Sequence, residues 1–275
     1  MTEAVIATRE GVAMEKSRYY KLFKDDRKAV ILAFDHAASG NLWIDPSRII
    51  MEVREGGFDG IMSTYGVLRS FKKEIGQMGT MVRMEFLGSA CASYDVINGQ
   101  PMRSPFTVDD VLHLGVDGIM TMGILGSQYD TDNIQYIAHI CAEADKYGLM
   151  TAAEMLPHGF SADPKDRSIE AMNTACRLGA EMGLDIVKTQ YVGPVDEFKK
   201  VVDNCYCDIL ALGGAQVGDD KAVLQNARDA IDAGCKGLVI GRNVWGHKNV
   251  RGISRALVKI VHDGASVDEA LQELA

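Results

Sequence analysis

The chain has 275 residues, 47% hydrophobic and 24% charged, with a formal net charge of -9 at pH 7. That composition describes a soluble globular protein with a substantial core and excludes a disordered one. The acidic balance and the lack of a long basic run exclude a nucleic-acid partner, and no apolar run is long enough to span a bilayer.

The length matches one (β/α) barrel, so a single domain over residues 1–275 is expected, with 1–27 as an N-terminal capping segment. The six cysteines, Cys91, Cys141, Cys176, Cys205, Cys207 and Cys235, form no CxxC pair. The opening residues lack the basic start and apolar stretch of a secretory signal, so the cysteines read as reduced core residues and the expected location is cytoplasmic.

Lys16–Phe23 reads as a small amphipathic helix able to close the bottom of a barrel. Ala29–Phe34 follows as a continuous apolar run, the pattern of a strand buried on both faces, and stops at Asp35-His36. Asp45-Pro46 then gives a helix start, with aspartate as the cap and proline in the first turn, and the helix runs to Gly56-Gly57.

From there a unit recurs in which a helix ends at a glycine and a short apolar strand begins a few residues later. It is seen at Gly57-Phe58-Asp59-Gly60-Ile61-Met62-Ser63, at Gly115-Val116-Asp117-Gly118-Ile119-Met120-Thr121, at Gly183-Leu184-Asp185-Ile186-Val187-Lys188 and at Gly234-Cys235-Lys236-Gly237-Leu238-Val239-Ile240. The glycine is expected to terminate the helix in the left-handed conformation. The remaining strands are expected over 81–86, 150–155 and 208–212, and Ser266-Val267-Asp268-Glu269 reads as a capping box opening the last helix. Eight strands alternating with helices favour a closed (β/α)8 barrel over an open doubly wound sheet. No Gly-x-Gly-x-x-Gly turn follows the first strand, which weakens a dinucleotide-binding reading.

In such a barrel the chemistry lies in the loops after the strands. Lys188 shares a strand face with Ile186, so a barrel would bring it to the mouth, where a desolvated lysine can offer a free amine to a carbonyl. The plain alternative is a strand-flanking lysine with its amine in water. Asp35 reads equally as a helix cap or as a carboxylate beside Lys188. Gly213-Gly214 and Gly241-Arg242-Asn243 end the seventh and eighth strands, where backbone N–H groups commonly hold phosphate and Arg242 would add a fixed charge. The alternative there is tight turns and a surface ion pair. His36 and His158 belong to no His-x-His or HExxH spacing, so no metal site is expected.

Ala33-Phe34-Asp35-His36, Asp185-Ile186-Val187-Lys188-Thr189, Leu212-Gly213-Gly214 and Gly241-Arg242-Asn243 together resemble the class I fructose-bisphosphate aldolases of the archaeal type and their relatives, from about Ala29 to the C-terminus. The resemblance implies a (β/α)8 barrel, assembled as a homo-oligomer, with Lys188 as the Schiff-base lysine. It implies Asp35 as an acid/base or orienting carboxylate, and Gly213, Gly214, Gly241 and Arg242 as a phosphate cradle. Two departures stand out. Relatives that cleave fructose bisphosphate typically end strand five in Tyr-Pro-Arg-Gly, where this chain has Leu156-Pro157-His158-Gly159, and Gln216 stands where a lysine is common. Leucine cannot move a proton, so His158, Glu154 or a water held by Asp35 must do so, or the reaction differs. The expected activity is carbon–carbon bond making or breaking on a sugar or sugar-phosphate substrate, with no metal or organic cofactor. The alternatives are an aldol- or acyl-transfer enzyme of the same barrel family and a non-catalytic sugar-phosphate-binding barrel.

Overall fold

The computed structural model describes residues 16–35, 44–85, 101–159, 163–214 and 218–275. Eight parallel strands close into a barrel in sequence order: β1 Ala29–Phe34, β2 Gly60–Ser63, β3 Gly79–Arg83, β4 Gly118–Leu125, β5 Met150–Pro157, β6 Ile186–Thr189, β7 Asp208–Leu212 and β8 Gly237–Ile240. Closure is made by β1 pairing with β8, with Ala29 opposite Gly237. The expected (β/α)8 architecture is the one observed. The helix opened by Asp45 runs Pro46–Glu55 with the aspartate side chain accepting from the Arg48 N–H, and the Ser266 capping box is present.

The recurrent glycine units have a structural reason. Gly57, Gly115, Gly183 and Gly234 all take positive φ, as helix termination in the left-handed region requires. In three of the units the following aspartate reaches back to the preceding strand. Asp59 accepts from the Val30 N–H at 2.6 Å, Asp117 from Thr80 at 2.9 Å and Asp185 from Thr151 at 2.7 Å, so each carboxylate satisfies a backbone donor where a ladder begins. Lys236 stands at this place in the fourth unit and supplies main-chain bonds, its carbonyl accepting from the Ala29 N–H.

Near the opposite ends of the strands, hydroxyls lock neighbours together. Ser63 donates to the Phe34 carbonyl, Thr121 to Ala152 and Thr189 to Met155. Inside the barrel, Ala29, Ile31, Ala33, Met62, Met81, Met120, Met150, Ala152, Ile186, Leu210 and Val239 form one buried cluster. Tyr19, Leu22 and Phe23 join it from the single-turn helix Tyr19–Leu22. This apolar floor excludes water from the lower half of the barrel.

The third strand is shorter than the sequence pattern suggests, ending at Arg83 rather than continuing over 81–86. Past Arg83 the Met84 N–H still reaches the Met120 carbonyl, but the Met122 N–H is taken by the Glu85 side chain instead of a main-chain carbonyl. Phe86, His36, Cys91 and Gln216 lie outside the described residues.

Candidate active site

One pleat step above the apolar floor, the inward positions become charged. Asp35 follows Ala33 by two residues, Arg83 follows Met81, Glu154 follows Ala152 and Lys188 follows Ile186. Lys188 lies directly beside Glu154 in the β5–β6 ladder, and its Nζ donates to Glu154 Oε2 at 2.8 Å. The lysine is only 5% exposed, so the reading of a strand-flanking amine in water does not hold. The same Glu154 oxygen is 3.4 Å from Arg83 Nη1, and Arg83 Nε is 3.7 Å from Asp35 Oδ2 and 3.7 Å from Glu85 Oε2. Asp35, Arg83, Glu154 and Lys188 thus form a continuous chain of alternating charge around the mouth.

The local fields follow from this packing. Burial works to raise the Glu154 carboxyl, but the Lys188 and Arg83 cations outweigh it and hold the group below the ordinary carboxylate value. Burial works against the Arg83 guanidinium, and Asp35, Glu154 and Glu85 together reverse this and raise it. Glu85 behaves oppositely to Glu154. Burial pushes its carboxyl up to about 7 against the pull of Arg83, the backbone N–H groups of Glu85 and Met122, and the Tyr136 hydroxyl.

His158 is placed differently. It takes φ +53°, its N–H bonds the Leu125 carbonyl, and its half-exposed ring faces Asp166 at 3.6 Å. Among the described residues no hydrogen bond or ion pair joins it to Lys188, Glu154, Arg83 or Asp35. Leu156 is buried in β5, and the adjoining turn is held by Arg167, which donates to the carbonyls of Pro157 and Gly159.

The ends of β7 and β8 lie side by side, which brings Gly213, Gly214, Gly241 and Arg242 to one sector of the rim. Asn243 ties the two loops together by donating to the Gly213 carbonyl at 2.7 Å. Packing alone explains two of these glycines, since a Cβ at Gly213 would collide with Ile240 and one at Gly241 with the Ala33 carbonyl. Gly214 is different: it takes φ +66° and faces open space. Arg242 is exposed and makes no ion pair among the described residues, which leaves its guanidinium available to an anion. The described residues contain no cluster of three metal-ligating side chains, and none of their helices is long and apolar enough to cross a membrane.

Arg83 and Glu85 are the site residues that sequence reasoning did not single out. Their signal is present: both share the parity of Met81 in a strand expected to be buried. Charges at that parity point into the barrel.

A closed barrel with a buried lysine–carboxylate pair at its mouth defines a class of enzymes acting on small molecules through the strand-end loops. The DeoC/LacD family aldolase signature matches residues 18–247, and the chain belongs to that aldolase family. It is 30% identical to a 2-amino-3,7-dideoxy-D-threo-hept-6-ulosonate synthase of Halobacterium salinarum, covering 94% of this chain and 96% of that protein. It is 24% identical to a class 1 fructose-bisphosphate aldolase of Thermoproteus tenax, covering 92% and 97%. Among solved structures, a Schiff-base-forming fructose-1,6-bisphosphate aldolase superposes with a TM-score of 0.79 at 23% identity, covering 90% of this chain and 99% of that one. The resemblance read from the four strand-end motifs is therefore to the right family.

Proposed function

We propose that this chain is a class I aldolase, an aldehyde-lyase in which Lys188 forms a Schiff base with a ketose or sugar-like, phosphorylated substrate. The observation that carries this reading is the Lys188 amine, buried inside the barrel mouth and 2.8 Å from Glu154. An amine at that depth serves covalent chemistry better than simple recognition, which counts against a purely binding barrel.

Glu154 is positioned to take a proton from the Lys188 ammonium, freeing the lone pair that attacks the substrate carbonyl. The same carboxyl can return that proton to the carbinolamine hydroxyl, which leaves as water and gives the iminium. In the cleavage direction, Asp35 accepts the proton of the substrate hydroxyl, the carbon–carbon bond electrons flow into the iminium, and an aldehyde departs. The enamine left on Lys188 is then protonated and hydrolysed. Arg83, between Asp35 and Glu154, holds both carboxylates in place and, with Lys188, keeps the Glu154 carboxyl below its ordinary value. No step requires a metal or an organic cofactor.

Gly213, Gly214, Gly241 and Arg242 form the proposed cradle for the substrate phosphate. With Leu156 unable to move a proton and His158 turned toward Asp166, Glu154 is the better-placed proton carrier beside Lys188. The 30% identity to a synthase supports a second reading, in which the lysine-bound fragment is passed to another acceptor.

The test compares Glu154→Gln, Asp35→Asn and His158→Ala for turnover of a ketose phosphate panel and for adduct formation at Lys188. Loss of an acid/base group lowers turnover by roughly 10²–10⁴-fold while an adduct still forms. Asp35→Asn is expected to behave this way, Glu154→Gln to slow adduct formation as well as turnover, and His158→Ala to lose much less. Wild-type turnover in both carboxylate variants would refute these assignments.

A further inference from the structure

Among the described residues, the charged ring holds more carboxylates than cations. Lys188 and Arg83 face Asp35, Glu85 and Glu154, two cations against three acids, all inside the barrel mouth. A buried excess charge is relieved when one member of such a group holds a proton. The geometry shows where the conflict lies. Arg83 Nε stands 3.7 Å from Asp35 Oδ2 and 3.7 Å from Glu85 Oε2, and an Nε carries a single hydrogen. The other guanidinium nitrogens are directed elsewhere, Nη1 to Glu154 and Nη2 to the Met122 sulfur at 3.8 Å.

The two oxygens of Glu85 are held differently. Its Oε1 accepts from the Met122 N–H at 3.1 Å, while its Oε2 is buried with no hydrogen-bond partner among the described residues. The Tyr136 hydroxyl, on the helix Asp130–Asp145, is buried beside Glu85 and acts on its carboxyl as a hydrogen-bond donor. A buried carboxylate oxygen without a hydrogen bond, as at Glu85 Oε2, is uncommon and calls for an explanation.

We propose that Glu85 is a positioning residue for Asp35: its carboxyl competes with Asp35 for the one Arg83 Nε–H, so that protonated Glu85 leaves Arg83 to hold Asp35 and ionised Glu85 draws it away. This rests on the reading that Asp35 and Lys188 carry the chemistry. The groups that set the balance are Arg83 on β3, Asp35 following β1, Glu154 on β5, Lys188 on β6 and Tyr136 on the outer helix. With the Glu85 carboxyl pushed up to about 7, the switch falls in the neutral range. The protonated, active arrangement dominates below that pH and fades above it.

The experiment is the pH profile of kcat/KM for wild type, Glu85→Gln and Tyr136→Phe, with borohydride adducts at Lys188 followed in parallel. Glutamine keeps an acceptor for the Met122 N–H but cannot ionise, so the falling limb near neutrality should disappear. The ratio of Glu85→Gln to wild-type kcat/KM should then rise about eightfold between pH 7.5 and 8.5, the change expected for one group titrating near 7. Tyr136→Phe removes a group that pulls the Glu85 carboxyl down and should move the limb to higher pH. An unchanged limb in both variants, or a loss that is the same at every pH, overturns the proposal. A limb that depends on Glu85 in a protein forming no Lys188 adduct contradicts the Schiff-base reading and leaves the Glu85–Asp35 coupling standing.

Discussion

The two halves of the barrel interior are built by the same strands and differ by two residues. Ala33, Met81, Ala152 and Ile186 belong to an apolar cluster closed from below by Tyr19, Leu22 and Phe23. Asp35, Arg83, Glu154 and Lys188 follow one step higher and form an ion-paired ring. The lower layer supplies burial and rigidity, and the upper layer uses that rigidity to hold charges out of water. A ring of this kind stabilises little by itself, because desolvating each ion offsets its Coulomb gain. Its use is positional, and the difference between the layers gives tests that separate stability from chemistry.

The sharpest contrast lies within β6. Lys188→Ala and Lys188→Arg should both reduce turnover to background with the fold intact, because guanidinium stays protonated and is a poor nucleophile. Ile186→Ala, one step below, should instead cost about 2–5 kcal/mol of stability while the folded fraction keeps its kcat. Denaturant titration beside steady-state kinetics measures both, and an active Lys188→Ala would break the division.

Glu154→Leu should remove about 3–5 kcal/mol of stability, because Lys188 and Arg83 then stay buried without their shared carboxylate. Chemical denaturation tests this, and an unchanged midpoint would show that the ring relaxes into solvent. A smaller effect is expected at the rim. Arg242→Ala should raise KM for a phosphorylated substrate by about 10–150-fold and leave KM for the unphosphorylated analogue nearly unchanged, as expected for loss of one charge-assisted contact of about 1.5–3 kcal/mol. Equal effects on the two substrates would assign Arg242 a structural part.

The smallest effect concerns the bottom of the barrel, where His262 bridges Asp26 and Asp59 at 2.9 Å each. Burial acts to lower this imidazole, but the two carboxylates outweigh it and raise it above the ordinary value of 6.5. A raised folded-state value means the bridge contributes fully below about 6.5 and is lost as pH rises through the folded value. The Tm difference between wild type and His262→Gln should therefore be largest near pH 5.5 and shrink toward pH 9. A difference independent of pH would mean that the ring is held by packing alone.

The sequence made the barrel legible because its repeats are local. Each glycine, with an aspartate two positions later in three of the four units, marks a helix end and a strand start, and that spacing survives without any tertiary information. Lys188 was equally readable, since parity with Ile186 fixes its face once the strand is known. Arg83 and Glu85 were harder to see, because charges in a short strand usually read as solvent-facing and their partners come from β1 and β5. Tyr136 could not be reached by strand parity at all, as it enters from an outer helix. The orientation of His158 depends on a left-handed turn that a histidine does not announce.

The chemistry proposed for this site turns on a covalent bond between the buried Lys188 amine and a carbonyl substrate. Borohydride reduction in the presence of a panel of ketose phosphates, followed by peptide mapping by mass spectrometry, tests it directly. A stable adduct should appear on the peptide containing Lys188, with the mass of the reduced substrate or its retained fragment, and should vanish in Lys188→Ala. An adduct on another lysine, or turnover of the panel with no trapped adduct, would contradict the claim.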